Sequence, residues 1–293
     1  MSATTGNLAQ AKVKKHKRDD SLARKFFRRP TSIIYTVLLV VIILACYIGP
    51  NFLVAPASAQ FDPLMGPSAQ HIMGTDSLGR DMFSRVLTGG QTSLLVGAAV
   101  AVLCLTIAVI IGGLAGFYGG VVDTILTKIT EFFQVIPAII LALVAAAILG
   151  ANTTVIILIL SFTMWPQVAR IVRADAMRIS ELGYVESDRA VGFGSLRIFW
   201  TDVLPNAFAP VLVATTMTIG RAILAESALA FLGLGDANKP SWGGLLNSAQ
   251  SHMQTAPWLT LFPGLMIFLV VLSTNMLGDQ LNDSLNPTLS RVK

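Results

Sequence analysis

Two charged side chains, Arg221 and Glu226, interrupt an otherwise apolar stretch that runs from residue 206 to 232. A charge at the centre of a membrane helix costs about 3 kcal/mol on insertion scales, so such side chains are normally buried against protein or water. Successive residues of a helix are about 100° apart, so these two lie about 140° apart and do not form a pair on one face. They either anchor contacts between helices or line the route of a charged solute, and the pattern supports the two interpretations equally.

A second polar group lies in residues 55–91, between two apolar segments. It contains Asp76, Arg80 and Asp81, within a Gly-Thr-Asp-Ser-Leu-Gly-Arg-Asp sequence. Residues 82–88 then place apolar side chains on one helix face and polar side chains on the other, which predicts a short helix lying in the membrane interface. We interpret this segment as a packing element, which the periodicity favours, or as a gate or docking surface for an external partner.

A third polar segment, residues 173–205, is too polar to cross a membrane but is rich in aromatic residues. Residues 186–191 are predicted to form a short helix that Gly192 and Gly194 end. Ser195 is predicted to cap a second helix, and the proline at the end of the segment marks the passage into the next apolar stretch. A compact amphipathic unit of this kind packs on its own membrane helices or docks to a cytoplasmic protein.

The sequence lacks the residue patterns of nucleotide binding and of common catalytic sites. No glycine is followed by lysine, so a Gly-x-x-x-x-Gly-Lys phosphate-binding loop is absent. The three histidines are scattered, and the apolar segments carry no paired carboxylates and no Ser-His-Asp arrangement. Cys46 and Cys104 lie in apolar runs and do not indicate a disulfide. We therefore predict a chain that is not an enzyme and that holds no cofactor or metal ion of its own.

The composition is that of a membrane protein. Hydrophobic residues make up 54% of the 293 residues and charged residues 13%, about half of the roughly 25% usual in soluble domains. One soluble core cannot hide this much apolar surface. A helix that crosses the bilayer needs about 20 apolar residues, and open sheet edges cannot face lipid. Six segments satisfy this length and predict an all-α integral membrane protein with six transmembrane helices: residues 33–54, 93–117, 126–149, 155–172, 206–232 and 258–278.

Small residues and prolines predict local features of these helices. Gly112, Gly116 and Gly120 are four residues apart at the end of the second segment, which predicts a close approach of another helix. Pro137 and Pro166 lack a backbone donor and predict kinks in the third and fourth segments.

The distribution of Lys and Arg predicts the orientation of the chain. Nine of the 21 basic residues lie in residues 1–30 and five more between 170 and 197, whereas the segments left outside carry only Arg80, Arg85 and Lys239. Under the positive-inside rule both termini are therefore cytoplasmic. The basic tail is expected to touch anionic lipid. Nucleic acid is not expected as a partner, because aromatic residues are not interleaved with the basic ones.

The N-terminal region has a second interpretation. Ala57-Ser58-Ala59 resembles a signal-peptidase site after an apolar stretch. The basic region and the apolar run that precede it are both longer than in signal peptides, so a retained signal anchor is favoured.

The stretch from Glu186 to Pro205 resembles the EAA loop of ABC-importer permeases, which reads Glu-Ala-Ala, three residues, Gly, nine residues, Ile, one residue, Leu-Pro. Four positions match and three differ. The matching residues are Glu186, Gly192, Leu204 and Pro205, and the differing ones are Ser187, Asp188 and Asp202.

Three further stretches resemble signatures of the dipeptide/oligopeptide permease subfamily. Residues 74–81 resemble Gly-Thr-Asp-x-x-Gly-Arg-Asp, and residues 226–235 resemble Glu-x-x-Leu-Ser-Phe-Leu-Gly-Leu-Gly. Residues 277–287 resemble Leu-Gly-Asp-x-Leu-x-Asp-x-Leu-Asp-Pro. Together they place the chain as similar to the second, "C"-type permease of a peptide-type importer.

The resemblance implies a type I ABC importer permease fold in a bacterial cytoplasmic membrane. It also implies three kinds of protein partner: a homologous second permease, two ABC ATPase subunits that bind ATP and Mg, and an extracytoplasmic substrate-binding protein. Membrane lipid is a further partner, expected from the apolar composition. In that family the short helix of the loop sits in a cleft of the ATPase subunit, and Gly192 would provide the bend after it. The ATPase-coupling loop carried over to this chain comprises Glu186, Ser187, Asp188, Arg189, Gly192, Gly194, Leu204 and Pro205.

The expected function is therefore import of di- or oligopeptides, although the resemblance also fits nickel chelates or haem-like cargo. A stand-alone carrier driven by an ion gradient through Arg221, Glu226 and Glu131 is a rival, but such a carrier does not require the cytoplasmic helix–turn–helix. An intramembrane enzyme would lack a nucleophile and base. The expected organisation is a basic cytoplasmic tail (1–30), a first helix with its external loop (31–92), a permease core (93–287) and a second cytoplasmic tail (288–293).

Overall fold

The computed structural model describes residues 26–27, 29–52 and 59–285, which form helices joined by turns and loops. In chain order they are α1 Pro30–Phe52, α2 Met82–Tyr118, α3 Gly120–Val135, α4 Ala138–Leu149, α5 Thr153–Ser180, α6 Gly183–Ala190, α7 Ser195–Ile198, a π-turn Phe199–Val203, α8 Leu204–Leu229, a second π-turn Ala230–Leu234, α9 Trp242–Ala249, a 3-10 turn Gln250–His252 and α10 Trp258–Leu285.

The prediction of an all-α membrane protein is confirmed. Within the described residues, five helical stretches are long and apolar enough to cross a membrane. They are α1, α2, α5, the continuous run from α7 through α8 to residue 234, and α10. The pair α3 and α4 supplies a sixth crossing if its two halves form one span.

The third predicted segment is broken rather than a single helix. Its two halves are bent by 79° relative to each other. Pro137 lies at the break with φ −61° and ψ 111°, and Ile136 before it is also extended. Proline has no N–H to donate and disfavours the helical conformation in the preceding residue, so the helix ends there. Pro166, in contrast, lies inside α5, which continues past it without a break.

The predicted short helix at residues 82–88 is wrong as a separate element. These residues are the first two turns of α2, whose 37 residues run without interruption over about 56 Å at 1.5 Å per residue. The helix begins at Asp81, which caps it, and no proline follows before Tyr118 to end it. The predicted boundary after residue 92 therefore falls inside a helix. The apolar side chains of these first turns, at Met82 and Val86, are buried in the protein core.

The most extensive helix contact among the described residues joins α2 to α5. A Cβ at Gly112 would overlap the backbone carbonyl of Ala169, and a Cβ at Gly116 would overlap that of Arg173. The predicted close approach is therefore confirmed for these two glycines. It is wrong for Gly120, where an added Cβ would have no neighbouring atom within 4 Å among the described residues. Gly120 instead begins α3 with φ +54°.

Three predictions fall on residues outside the described ranges. They concern most of the basic tail (residues 1–25), the first two residues of the alternative signal-peptidase site (residues 57–58) and the C-terminal tail (residues 288–293).

Candidate functional site

Helix α6 is attached to the helix bundle by one buried residue. Val185 has no exposed surface and packs in a cluster of buried apolar residues. That cluster draws on α2, α5, α7, the π-turn after α7, and α8: Phe117, Ala176, Ile179, Ile198, Phe199, Val203 and Ala207. The other side chains of α6 are exposed or half-buried, so the helix projects from the bundle on a single apolar anchor.

A sharp turn at Gly192 reverses the chain after α6. Gly192 has φ +90°, a left-handed conformation that a side chain strains. The N–H groups of residues 191–193 donate to the carbonyls of Ser187, Arg189 and Asp188, which satisfies the end of α6. Gly192 therefore makes the bend that the sequence predicts.

The second predicted helix starts one residue earlier than expected, so the prediction of Ser195 as its cap is wrong. Gly194 occupies the N-cap position in an extended conformation, and Ser195 is the first helical residue, without a side-chain capping bond. The helix then continues through the π-turn into α8, giving one 40-residue helical run from Ser195 to Leu234. Leu204 is half-buried, and Pro205 lies exposed in the first turn of α8.

The loop presents apolar side chains to its surroundings. Large apolar residues of α6, α7 and the turns beside them are exposed: Tyr184, Val191, Phe193, Leu196 and Trp200. Arg197 stacks on the ring of Phe193, with 4.2 Å from the guanidinium carbon to the ring centre. Glu186, Ser187 and Arg189 are exposed on α6, and the guanidinium carbon of Arg189 lies 5.3 Å from the ring centre of Phe117 in α2. Several large apolar side chains exposed on one short loop are characteristic of a protein-binding site.

Arg221 and Glu226 lie in different environments, as their spacing predicts. Arg221 is exposed on α8 and donates through Nη1 to Oε1 of Gln167, a residue at the middle of α5. Close by on the exposed face of α5, Arg170 donates to Gln134 of α3 at 3.3 Å. Polar side chains on the outer surface of membrane helices need another polar surface or water beside them.

Glu226 is buried, with 2% of its surface exposed. It accepts a hydrogen bond of 3.0 Å from the hydroxyl of Ser93 in α2. The same hydroxyl accepts a bond from the backbone N–H of Trp242 at the start of α9, and the indole of Trp242 donates to the carbonyl of Val86. Glu226 thus joins three helices in a polar node inside the protein, and no described contact connects it to Arg221.

The Asp76–Arg80–Asp81 group forms a packed turn that begins α2. Asp76 is 8% exposed and accepts bonds from the N–H groups of Leu78 and Arg80 and from Nε of Arg80. Asp81 is 5% exposed, caps α2 by accepting from the N–H of Ser84, and lies 2.9 Å from Nδ1 of His71. The two carboxylates are therefore occupied inside the turn, whereas Arg80 is partly exposed.

Glycines shape this turn. Gly74 and Gly79 have φ +75° and +73°, and a Cβ on Gly79 would overlap the carbonyl of Phe61. Thr75 is fully buried, donates to the carbonyl of Asp62 and accepts from the N–H of Met65. The signature around residue 76 is thus explained by backbone geometry and by the capping of α2.

At the same end of the protein, Asp236 holds the start of α5. Its carboxylate accepts from the hydroxyl and the N–H of Thr153 at 2.7 and 3.0 Å, and from the N–H of Asn238 at 2.9 Å. Burial opposes ionisation, but these bonds and nearby Lys239 outweigh it and lower the pKa of Asp236 below its usual value.

Several residues of these sites carry no distinctive signal in the sequence. Ser93, Trp242 and Gln167 each contact a charged or polar group more than 50 positions away along the chain. Gln167 alone is conspicuous, because it is an amide within a predicted membrane helix. Across the described ranges, no group of three or more His, Cys, Asp or Glu side chains is arranged to hold a metal ion.

The sequence of this chain is similar to those of several membrane transport proteins. A protein of Brucella suis biovar 1, provisionally named as a peptide transport system permease protein, is 38% identical over 91% of this chain and 91% of its own length. The dipeptide transport system permease protein DppC of Alkalihalophilus pseudofirmus is 36% identical over 88% of this chain and 86% of its own. The glutathione transport system permease protein GsiD of Escherichia coli O6:K15:H31 is 38% identical, with the same shares covered.

The fold is that of type I ABC importer permeases. The MetNI methionine ABC transporter, solved in an inward-facing conformation, superimposes with a TM-score of 0.58 at 20% identity. The superposition covers 70% of this chain and 98% of that one. Residues 108–291, which contain the exposed loop and both membrane charges, match the family described as binding-protein-dependent transport system inner membrane component. With a match over most of its length and relatives above 30% identity, this chain belongs to that family of transport permeases.

Proposed function

We propose that this chain is one permease subunit of an ATP-driven importer of di- and oligopeptides. It spans the bacterial cytoplasmic membrane with both termini in the cytoplasm. A homologous permease forms the other half of the pathway, two ATPase subunits bind ATP and Mg, and an external binding protein delivers cargo. The relatives named for peptides, dipeptides and glutathione support this cargo class.

The observation that carries the proposal is the mechanical attachment of the exposed loop. The apolar surface around α6 is the surface that an ATPase subunit would cover. Val185 ties α6 to residues of α2 and α5, and α7 runs without a break into α8. A displacement of α6 therefore moves the adjacent ends of three membrane helices together. ATP-driven closure of the ATPase pair would by this route rock the permease between inward-facing and outward-facing states.

The function is tested by purifying the tagged chain after expression with its neighbouring genes. We expect an ATPase pair to be captured with it, and peptide uptake into proteoliposomes to require external binding protein and internal-side ATP. Omitting ATP is the matched control. The proposal fails if no ATPase is captured, or if the chain alone accumulates peptide against its gradient.

Within this complex, we propose that Arg221 lines the pathway and that its guanidinium contacts the carboxylate of the peptide. It is exposed on α8, paired only with the neutral Gln167 among the described residues, and therefore has hydrogen bonds to offer. The burial of Glu226 argues against the same role for that side chain in the present conformation.

Replacing Arg221 with glutamine is expected to lower the uptake efficiency for peptides with a free C-terminus. A charge-assisted hydrogen bond contributes about 1.5–3 kcal/mol, so the expected loss in kcat/KM is about 10- to 150-fold. Uptake of C-terminally amidated peptides should change little. The measurement compares the two peptides in proteoliposomes with saturating binding protein. Arg178→Gln, which removes an exposed arginine from a different helix, α5, is the control. An equal loss for both peptides would contradict the assignment.

A further inference from the structure

An apolar cavity of about 340 Å³ lies where the start of α1 approaches α8 and α10. The rings of Phe26 and Phe27 line it together with leucines of α8 and α10. In the described part of the chain, the only polar side chains that line it are Thr36 and Thr216, and their hydroxyls donate to carbonyls of their own helices at 2.7 and 2.8 Å. No lining side chain therefore has a proton left to donate, and the cavity suits an apolar occupant.

The cavity lies near one surface of the membrane. Thr36 is six residues after Pro30, where α1 begins, which is about 9 Å along the helix axis. Leu281 is four residues before Leu285, the last described residue of α10. In the orientation of the proposed function these two helix ends are cytoplasmic. The cavity is therefore at the depth where the acyl chains of the inner leaflet begin.

The chain around the cavity carries an excess of positive charge. Residues 24–29 read Arg-Lys-Phe-Phe-Arg-Arg, so four of the six are basic and each basic residue is within two positions of a ring that lines the cavity. The adjacent end of α10 contributes two acidic residues, Asp279 and Asp283. Asp283 is already paired with Nη1 of Arg29 at 2.6 Å. The remaining balance favours an anion beside the cavity.

The cavity is separate from the proposed pathway. Leu212 and Thr216 of its lining lie nine and five residues before Arg221 on α8. At about 100° per residue they are about 180° and 140° around the helix from Arg221. An occupant of the cavity therefore contacts α8 on the side away from Arg221.

We propose that this cavity binds an acyl chain of an anionic phospholipid, whose phosphate is held by Lys25 and Arg28, the neighbours of the two rings. The proposal rests on the proposed function only for the leaflet that supplies the lipid. A buried acyl chain and an anionic headgroup near basic residues each stabilise binding. A zwitterionic lipid would supply the chain without the net charge, and a soluble anion would supply the charge without the chain.

The test uses the assembled transporter in phosphatidylcholine nanodiscs that contain a small fraction of a photoreactive lipid. The probe is phosphatidylglycerol or phosphatidylcholine with the same diazirine-bearing acyl chain, and mass spectrometry measures labelling of α8 and α10 around Leu212 and Leu281. Phosphatidylglycerol is expected to label these positions about tenfold more than phosphatidylcholine, because each nearby basic residue favours the anionic headgroup.

Two variants test the two halves of the site. Lys25→Gln combined with Arg28→Gln is expected to lower labelling by phosphatidylglycerol about fivefold or more. Lys15→Gln with Lys17→Gln is the matched control, because it removes the same charge from the same tail farther from the rings. Thr216→Trp fills the cavity and should abolish labelling there by both lipids. Val41→Trp adds the same ring at an exposed residue of α1 that does not line the cavity and should leave labelling unchanged.

Equal labelling by the two lipids in the wild type overturns the proposal, because the site would then not select an anionic headgroup. Absence of labelling by either lipid also overturns it, since another protein surface would then cover the cavity. Unchanged labelling in the Lys25/Arg28 double variant contradicts the headgroup assignment and has the same consequence. If labelling follows the expected pattern but the transporter does not import peptide, the proposed function fails while the lipid site stands.

Discussion

Val185→Asp is expected to abolish ATP-driven uptake, lowering its rate by about 100-fold or more. Burial of an unpaired carboxylate costs several kcal/mol, and each 1.4 kcal/mol corresponds to a tenfold change in an equilibrium constant. Val185 is the only fully buried side chain of α6 and holds this helix against α2 and α5. With a carboxylate there, α6 should detach from the bundle. The exposed surface that an ATPase subunit would cover would then no longer move the membrane helices. The measurement is uptake in proteoliposomes, together with ATP hydrolysis by the same preparation.

Two further variants make this result specific. Val185→Ala keeps the site apolar and should cause a partial loss, because only the packing of two methyl groups is removed. Val121→Asp introduces the same charge at a valine that is 74% exposed and should leave uptake close to wild type. The mechanical interpretation is wrong if Val185→Asp transports normally, or if Val121→Asp is equally inactive.

Local backbone chemistry made part of this structure predictable from sequence. Gly192 tolerates a positive φ and makes the turn after α6, and Pro137 lacks an N–H and breaks the helix between α3 and α4. Both effects depend on the residue itself, so both were predictable from its position in the sequence. The membrane segments were predictable for a similar reason, because hydrophobic length is a property of a continuous stretch.

Boundaries between adjoining helical segments were less predictable. The amphipathic pattern of residues 82–88 fits an interfacial helix, but it equally fits the buried first turns of a longer helix that starts at Asp81. Apolar length alone placed a boundary at residue 92, although nothing in the chain there ends a helix. At Ser195 the hydroxyl suggested a cap, while the extended conformation of Gly194 moved the start of the helix by one residue.

The environments of the membrane charges depend on partners that are distant in sequence. Ser93 lies 133 positions from Glu226, and Gln167 lies 54 positions from Arg221. Their helical spacing predicted that the two charges face different directions, but not which one is enclosed. The three-dimensional contacts separate them into a buried anchor and an exposed group.

This separation predicts a large and selective effect on stability. Glu226→Ala is expected to lower the free energy of unfolding by about 2–4 kcal/mol, because it leaves a cavity and removes the acceptor of the Ser93 hydroxyl. Arg221→Ala should change it by less than about 0.5 kcal/mol, as is usual for exposed substitutions. Thermal or denaturant unfolding in detergent, followed by the fluorescence of Trp242 and the other tryptophans, measures both variants.

Conservative and matched variants distinguish an anchor from a pathway residue. Glu226→Gln preserves the shape and can still accept from Ser93, so most of the stability should return and uptake should follow it. Glu181→Ala removes an exposed carboxylate at the end of α5 and should be neutral. If Glu226→Ala unfolds like the wild type but loses uptake of cationic peptides alone, Glu226 belongs to the transport route, and the node with Ser93 and Trp242 opens during the cycle. Loss of stability with a proportional loss of all uptake instead identifies Glu226 as the residue that holds α2, α8 and α9 together while Arg221 faces the cargo.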